Sequence, residues 1–273
     1  MATTGRTRPV RTQAVLAVQE KRWISPGIVR VVLGGPGFDA YNDNAFTDKY
    51  VKIFFADPAH GLEPPYDLAA LRAEHPEKLP ATRTYTVRWA DPDTRRLAID
   101  FIVHGDEGIA GPWAAGAEVG DLLVLSGAGG AYRPDPAADW HLLAGDETAI
   151  PSTTSALAAM PAAATGSVLL LVDSAKYEIP IPRPDGVNLR WLHRETAVAD
   201  VDPLVDALRE LPWPTGTPQV FVHGERGTVK AARRLLTLDR GVPRERLSIS
   251  AYWATGRAED RFQAEKREPI GQI

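Results

Sequence analysis

The sequence predicts two domains in series, an antiparallel β-barrel followed by an α/β domain with a mainly parallel sheet. Three observations carry this. The chain has 273 residues, long for one core and comfortable for two. Its first half is a run of short, β-branched or alternating segments with little helical pattern between them. After AYRPDPAADW, Ala131 to Trp140, strand patterns alternate with helical ones, as parallel βαβ units require.

Residues 1–11 are basic and polar and are expected to form a loose arm. The barrel strands follow as QAVLAVQEKRWI, IVRVVLGG, KYVKIFFA, TRTYTVRWA, RLAIDFIVHG and DLLVLSGA. Val29, Val31 and Leu33 keep a period of two, which puts all three on one face. PPYDLAALRAEHPEKLPA interrupts the strands, with one short helix among turn formers, and is expected as a surface excursion. Pro134 and Pro136 flank an aspartate and mark the boundary. Beyond it WHLLAG, GSVLLLVDS, VNLRWLHR, PQVFVHG and RLSISAYW read as strands. DETAIPSTTSALAAM, VDPLVDALREL and GTVKAARRLLTLDRG read as helices. The expected domains are 12–134 and 139–253, with a polar, charged extension over 254–273.

Composition excludes several function classes. The net charge of −4 with 24% charged residues gives no concentrated basic face, so no nucleic-acid partner is expected. There is no cysteine, which removes disulfides, thiolate zinc sites, a cysteine nucleophile and a cysteine-ligated iron–sulfur cluster. The six histidines are scattered and form no HExxH pair, so no protein metal site is expected. MATTGRTRPVRTQ lacks the apolar run of a secretory signal, and no stretch approaches the roughly 20 apolar residues of a membrane span. A cytoplasmic address, no membrane insertion and a monomer are expected.

The hexapeptide RTYTVR is the first candidate site. On a strand Arg83, Tyr85 and Val87 share one face, and Thr84, Thr86 and Arg88 the other. A guanidinium can pair with a pyrophosphate, and the phenol ring beside it can lie against an isoalloxazine. The same residues also suit an ordinary half-buried strand, and both readings stay open at this point. The next segment, DFIVHGDEGIAGPWAAGAEV, ends a strand at His104 and runs from Gly108 to Ala114 as a small-residue loop entering a helical turn. Such a turn can cradle a phosphate.

In the second domain AGDETAIPS is not a GxGxxG fingerprint, and Asp146 and Glu147 are expected to repel a phosphate lying on them. Asp173 ends a strand where an acid can bond ribose hydroxyls and disfavour a 2′-phosphate, which favours NADH. Arg226, Lys230 and Arg233 nearby could equally accept that phosphate. Gly224 and Gly227 in HGERG could admit a nicotinamide nucleotide at a helix start, beside His223 and Glu225.

Taken together, RTYTVR, DFIVHGDEGIAGPWA, LLAGDETAIP, VHGERGTVKAARRLL and SAYWATGRAEDRFQAEK resemble the siderophore-interacting protein family. These are FAD-dependent ferric-siderophore reductases of the ferredoxin-reductase-like superfamily, and the resemblance runs from about residue 12 to about 267. It implies an FAD-binding barrel, an NAD(P)H-binding domain, and electron flow from NADH or NADPH through FAD to a ferric siderophore. Carried over, Arg83, Tyr85, Thr86 and Val87 match the flavin strand. His104, Gly108, Ala110, Trp113 and Ala114 match the phosphate segment. Asp146, Glu147 and Thr148 match the loop meeting the flavin, and Tyr252 and Trp253 the aromatic pair near it. Lys52, Arg133 and Lys266, with Arg257 in reserve, match basic positions above the flavin that attract an anionic ferric chelate. The extension over 254–273 is expected near that site.

Two departures stand out. The family's GPA-x-x-WA is GIAGPWA here, with the proline displaced to Pro112, and Ala254 and Thr255 follow Trp253 where an arginine is usual. A general flavin reductase without siderophore specificity, and a non-catalytic ferric-siderophore-binding flavoprotein, remain as alternatives.

Overall fold

The structure, a computed structural model, describes residues 12–105, 108–199 and 201–273. The arm expected over 1–11 lies outside the described residues. Strands β1 (Gln13–Ser25), β2 (Ile28–Gly34), β3 (Tyr50–Phe55), β4 (Ala81–Asp91), β5 (Arg96–Ile102) and β6 (Leu122–Ser126) close into a barrel in the order β1-β2-β5-β4-β3-β6. Neighbouring strands pair antiparallel throughout. The period-two residues fill its interior: Leu16, Val29, Val31, Leu33, Ile53 and Leu125 are fully buried. Their alternation is what closes the barrel, since a strand one residue out of register would turn this set to water.

The excursion between β3 and β4 carries helix α1 (Leu68–Glu74), whose N-terminus is capped by Asp67. Gln13 ties the excursion back to β1 through both the carbonyl and the N–H of Tyr66, at 2.7 and 2.9 Å. Helix α2 (Ala110–Gly116) packs on the barrel through Ala110 and Ala114, which are buried in its core. Its Gly111 crosses β5 so closely that a Cβ there would sit 3.1 Å from the Ile102 carbonyl oxygen.

Strands β7 (Trp140–Asp146), β8 (Gly166–Val172), β9 (Val187–His193), β10 (Pro218–Glu225) and β11 (Leu247–Trp253) form a parallel sheet in the order β11-β10-β7-β8-β9. The connecting helices are α3 (Ile150–Ala159), α4 (Pro203–Glu210) and α5 (Arg226–Arg234). Every residue of β7 is buried, because it is the central strand and both of its faces are covered. The strand order reverses beside β7, between β8 on one flank and β10 on the other. A crevice outside the carboxyl ends is the general ligand position of such sheets.

Three local differences from the sequence reading have physical causes. The helix expected from Asp146 starts as a 3-10 turn, Glu147–Ala149, because Asp146 turns back to accept the Thr148 N–H. The helix expected to Gly241 is α-helical only to Arg234 and widens into a π-helical turn, Leu235–Asp239, which buries Leu235 and Leu236. The charged extension is not merely polar surface. It forms helix α6 (Glu259–Glu265) and buries Phe262 against Ala251 and Ala254.

The two domains share packing. Ile28 and Tyr132 belong to the same apolar cluster as Leu143, Ile150 and Phe221 of the sheet domain. The Ser155 hydroxyl on α3 donates to the Arg88 carbonyl of β4 at 2.7 Å.

Candidate functional site

The geometry starts from β4. Arg83 and Tyr85 pair with Ile53 and Val51 of β3, both fully buried, so the two side chains share the face of β4 that follows the barrel interior. Val87 on the same face is buried in the core. The Tyr85 ring lies 4.6 Å from Phe101, which lies 5.6 Å from Trp113, which lies 5.7 Å from Phe55. Burial pushes the Tyr85 hydroxyl well above its ordinary pKa, with Glu259 adding to the shift and Arg83 opposing it. The tail therefore reaches this strand, and Asp260 of α6 accepts a bond from Arg83 at 2.9 Å.

On the opposite face Thr84 and Thr86 pair with Lys52 and Tyr50. The Lys52 ammonium donates to the Thr84 hydroxyl. Lys266, just beyond α6, stands 4.7 Å over the Phe262 ring. Its pKa is lowered, first by burial, against the pull of Glu259, and further by Lys52. Of the expected substrate cations, Lys52 and Lys266 are thus close enough to interact. Arg257 bonds Glu265 at 2.9 Å within the tail, and Arg133 is exposed on the linker between the domains.

Helix α2 lies beside the Arg83–Tyr85 face, where its Trp113 meets Phe101. Gly108 is left-handed at φ 82°, and a Cβ there would meet no atom within 4 Å. The residue that starts α2, Ile109, makes no side-chain cap bond. Ala110, Ala114 and Trp113 act as packing against the barrel core, while Ile109 at the helix start is exposed. His104 stands 3.5 Å from Glu147 across the domain seam. A cation, an aromatic ring with neighbouring threonines, and an uncapped glycine turn make a donor set that fits a flavin dinucleotide.

The second-domain residues behave differently from their sequence reading. Asp146 is 3% exposed and does not present its charge to solvent. One oxygen accepts the Thr148 N–H at 2.9 Å and the Thr148 hydroxyl. The other accepts the Glu225 N–H at 2.7 Å and the Trp253 indole N–H at 2.8 Å. It fastens the ends of β7, β10 and β11 together. Gly224, at φ 148°, is required there, because a Cβ would stand 2.5 Å from the Asp146 carboxylate.

The Tyr252 hydroxyl is buried between Ser152 and Thr86, and this burial raises its pKa well above the ordinary value. Tyr252 thereby joins the sheet domain to β4 of the barrel. His223 stacks on Phe221 at 3.8 Å, and its Nε2 lies 3.1 Å from the Ser248 hydroxyl. Burial lowers its pKa to about 3, so the ring is neutral. A cleft of about 410 Å³ opens at these carboxyl ends, lined among others by Asp146, His223, Gly224, Glu225 and Trp253.

The sequence reading missed three contributors. Asp260 engages Arg83. Glu265, almost fully buried, takes Arg226 at 2.7 Å and Arg257 and Arg261 at 2.9 Å each. Arg226 thus spends its charge on the tail. Arg194 bonds Glu147 at 2.6 Å and Asp173 at 2.9 Å. The one signal for Arg194 was its place directly after a strand, at the same sheet edge as Asp173.

Comparison with known proteins identifies the family. Residues 17–132 match the model of the siderophore-interacting FAD-binding domain, and residues 138–256 that of the siderophore-interacting protein. The chain is 33% identical over 251 residues to the ferric vibriobactin reductase ViuB of Vibrio cholerae, covering 90% of this chain and 91% of that protein. It is 30% identical over 251 residues to an NADPH-dependent ferric-chelate reductase of Escherichia coli, covering 89% and 92%. The crystal structure of the siderophore-interacting protein SipS from Aeromonas hydrophila superposes with a TM-score of 0.77 at 30% identity, over 95% of this chain and 98% of that one. The chain belongs to the siderophore-interacting protein family.

Proposed function

We propose that this protein is a flavin-dependent ferric-siderophore reductase that takes electrons from a nicotinamide nucleotide. The observation that carries the reading is the meeting of β4, with Arg83 and Tyr85, its neighbour β3, with Lys52, and the tail, whose Asp260 accepts from Arg83 and whose Lys266 lies within electrostatic reach of Lys52. FAD, when bound, converts a two-electron donor into single-electron delivery.

The chain's own residues bind and orient. Arg83 would take the pyrophosphate, Tyr85 and Thr86 the ring system, and the Gly108 turn the remaining phosphate oxygens. Asp146 holds Thr148 and Trp253 at the seam where the nucleotide cleft meets the barrel. His223 borders that cleft as a neutral ring. Lys52 and Lys266 attract an anionic ferric chelate. Siderophore oxygens prefer Fe(III), so one electron per iron weakens the chelate and releases Fe(II). One nicotinamide oxidised thus balances two irons reduced. The same reading places the protein in the cytoplasm, where its donor is found, and as a monomer, since one chain carries the whole site.

The test is a spectrum followed by a turnover. Protein loaded with FAD and freed of excess is mixed anaerobically with NADPH or NADH, then with a ferric siderophore and a ferrous-specific chelator. Bleaching of the flavin bands, then their return with two Fe(II) per nucleotide, is the expected result. Equal rates with simple ferric chelates would favour a general flavin reductase. Bound FAD that neither nucleotide reduces would leave only a siderophore-binding role.

A further inference from the structure

We propose that Tyr50 is a specificity-determining contact that stacks an aryl ring of the substrate, so that ferric catecholates are taken in preference to ferric hydroxamates. The proposal rests on the ferric-siderophore reading above and adds the chemical class of the chelate.

Tyr50 opens β3 two residues before Lys52, and side chains two apart on a strand share a face. Along the strand they are about 7 Å apart. Tyr50 pairs with Thr86 of β4, and Lys52 with Thr84. Tyr50 therefore belongs to the face that carries Lys52, with Lys266 of the tail within electrostatic reach. The residue is 38% exposed, so part of its ring is open to a ligand.

The ring is seated rather than loose. Tyr50 and Gly129 form an antiparallel bridge with both backbone bonds made, at 2.9 and 2.8 Å. The Gly129 carbonyl also accepts from the Asn44 amide at 3.2 Å. A Cβ on Gly129 would stand 2.6 Å from the ring carbon that bears the hydroxyl, so the outer end of the ring lies across the glycine. Just beyond, Asp48 accepts the N–H groups of Ala131 and Tyr132 at 2.9 and 2.8 Å and fixes the backbone that carries the glycine. A ring already held in place loses little freedom when a ligand stacks on it, so more of the contact appears as affinity.

A chelate that uses both the ring and the lysines needs a π face and a negative charge. Catecholates and hydroxamates both offer the hard oxygens that suit Fe(III). A catecholate brings two negative oxygens on each aryl ring, so its ferric complex is an anion. Three singly charged hydroxamates leave the complex neutral, and their aliphatic arms carry no π face. An aryl ring takes an offset or edge contact with Tyr50, as aromatic pairs prefer. Its oxygen-bearing rim then meets the Lys52 side. The lysines alone attract any anion, and the ring selects the aryl class.

The experiment is calorimetric titration of the FAD-loaded chain with the redox-inert gallium(III) complexes of a tris-catecholate and of a trihydroxamate. Alongside it, kcat/KM is measured for the two ferric complexes with NADPH. The variants are Tyr50→Leu, Tyr50→Phe and Gly129→Ala. Gly129 is not left-handed, so alanine fits its backbone. Retained flavin absorbance and cooperative urea unfolding report that each variant is folded. One aromatic contact corresponds to about 2- to 10-fold in affinity. Wild type is expected to bind the gallium catecholate more tightly than the hydroxamate. Tyr50→Leu should cut the catecholate-to-hydroxamate ratio by about that factor in both Kd and kcat/KM. The salt dependence should persist, because Lys52 and Lys266 carry it. Tyr50→Phe should keep the ratio, since the ring face makes the contact. Gly129→Ala should lower it with the tyrosine still present, because the added methyl displaces the ring. An unchanged ratio in Tyr50→Leu would overturn the proposal and leave Tyr50 as a cover for Gly129. So would a loss of the same size in Tyr50→Phe, which would place the effect on the hydroxyl. If nicotinamide fails to reduce the flavin, or no Fe(II) forms, the reductase reading falls while the gallium titration still decides this one.

Discussion

Replacing Arg83 with alanine separates two quantities that the structure assigns to different neighbours. Arg83 spends its charge on Asp260, whose side chain is 76% exposed. Such a pair is worth less than about 1 kcal/mol, because water screens one partner. Its other bond goes to the adjoining Thr82 carbonyl at 2.9 Å, which water replaces on mutation. Folding stability should therefore change little. The Arg83 side chain itself is only 14% exposed, so a pyrophosphate meeting it is bound in a sheltered place. Losing that contact should cost about 1.5 to 3 kcal/mol, or roughly a 10- to 100-fold rise in the FAD dissociation constant. Quenching of flavin fluorescence measures the second quantity and urea unfolding without FAD the first. Asp260→Ala is the companion, because it frees Arg83 and should tighten FAD by about 2- to 5-fold. FAD affinity within about twofold of wild type in Arg83→Ala would refute the placement and leave Arg83 as a strand-to-tail contact alone.

Other expectations follow from the same contacts. Asp146→Asn turns an amide N–H₂ toward at least one pair of donors, so a loss of about 2 to 3 kcal/mol is expected in urea unfolding, with a changed Trp253 environment in near-ultraviolet circular dichroism. The Glu265 carboxyl is held at about 2, first by its bond from Arg226, against burial, and then by Arg261 and Arg257. A pKa lowered from its ordinary 4.5 gives stabilisation that is present above that value and lost as pH falls toward about 2. Glu265→Gln should therefore flatten the pH dependence of limited proteolysis at the tail across that window. Lys52→Ala and Lys266→Ala should each raise the KM for an anionic ferric siderophore and weaken its salt dependence, with flavin reduction by nicotinamide unchanged. Because the Lys266 pKa is lowered, its share of substrate attraction should fade at lower pH than for an ordinary lysine.

Much of this protein follows from local pattern alone. Strand alternation puts Val29, Val31 and Leu33 inside the barrel, because side chains on a pleated strand alternate whatever surrounds them. The βαβ rhythm after Trp140 requires a parallel sheet, since parallel strands need long crossovers. The shared face of Arg83 and Tyr85 follows from the same alternation. What the sequence could not determine is which charges meet. Asp260 lies 177 residues from Arg83, and nothing in either segment marks the pair. Glu265 draws three arginines because the chain returns α6 over the start of α5. Asp146 reads as a solvated acid that repels phosphate, yet four donors from three segments close on it. Asp173 alone reads as a solvated acid at a strand end, yet Arg194 pairs with it and with Glu147. Backbone geometry fixes local periodicity within a few residues, whereas a charge takes its meaning from the partner that chain closure brings to within a few ångströms.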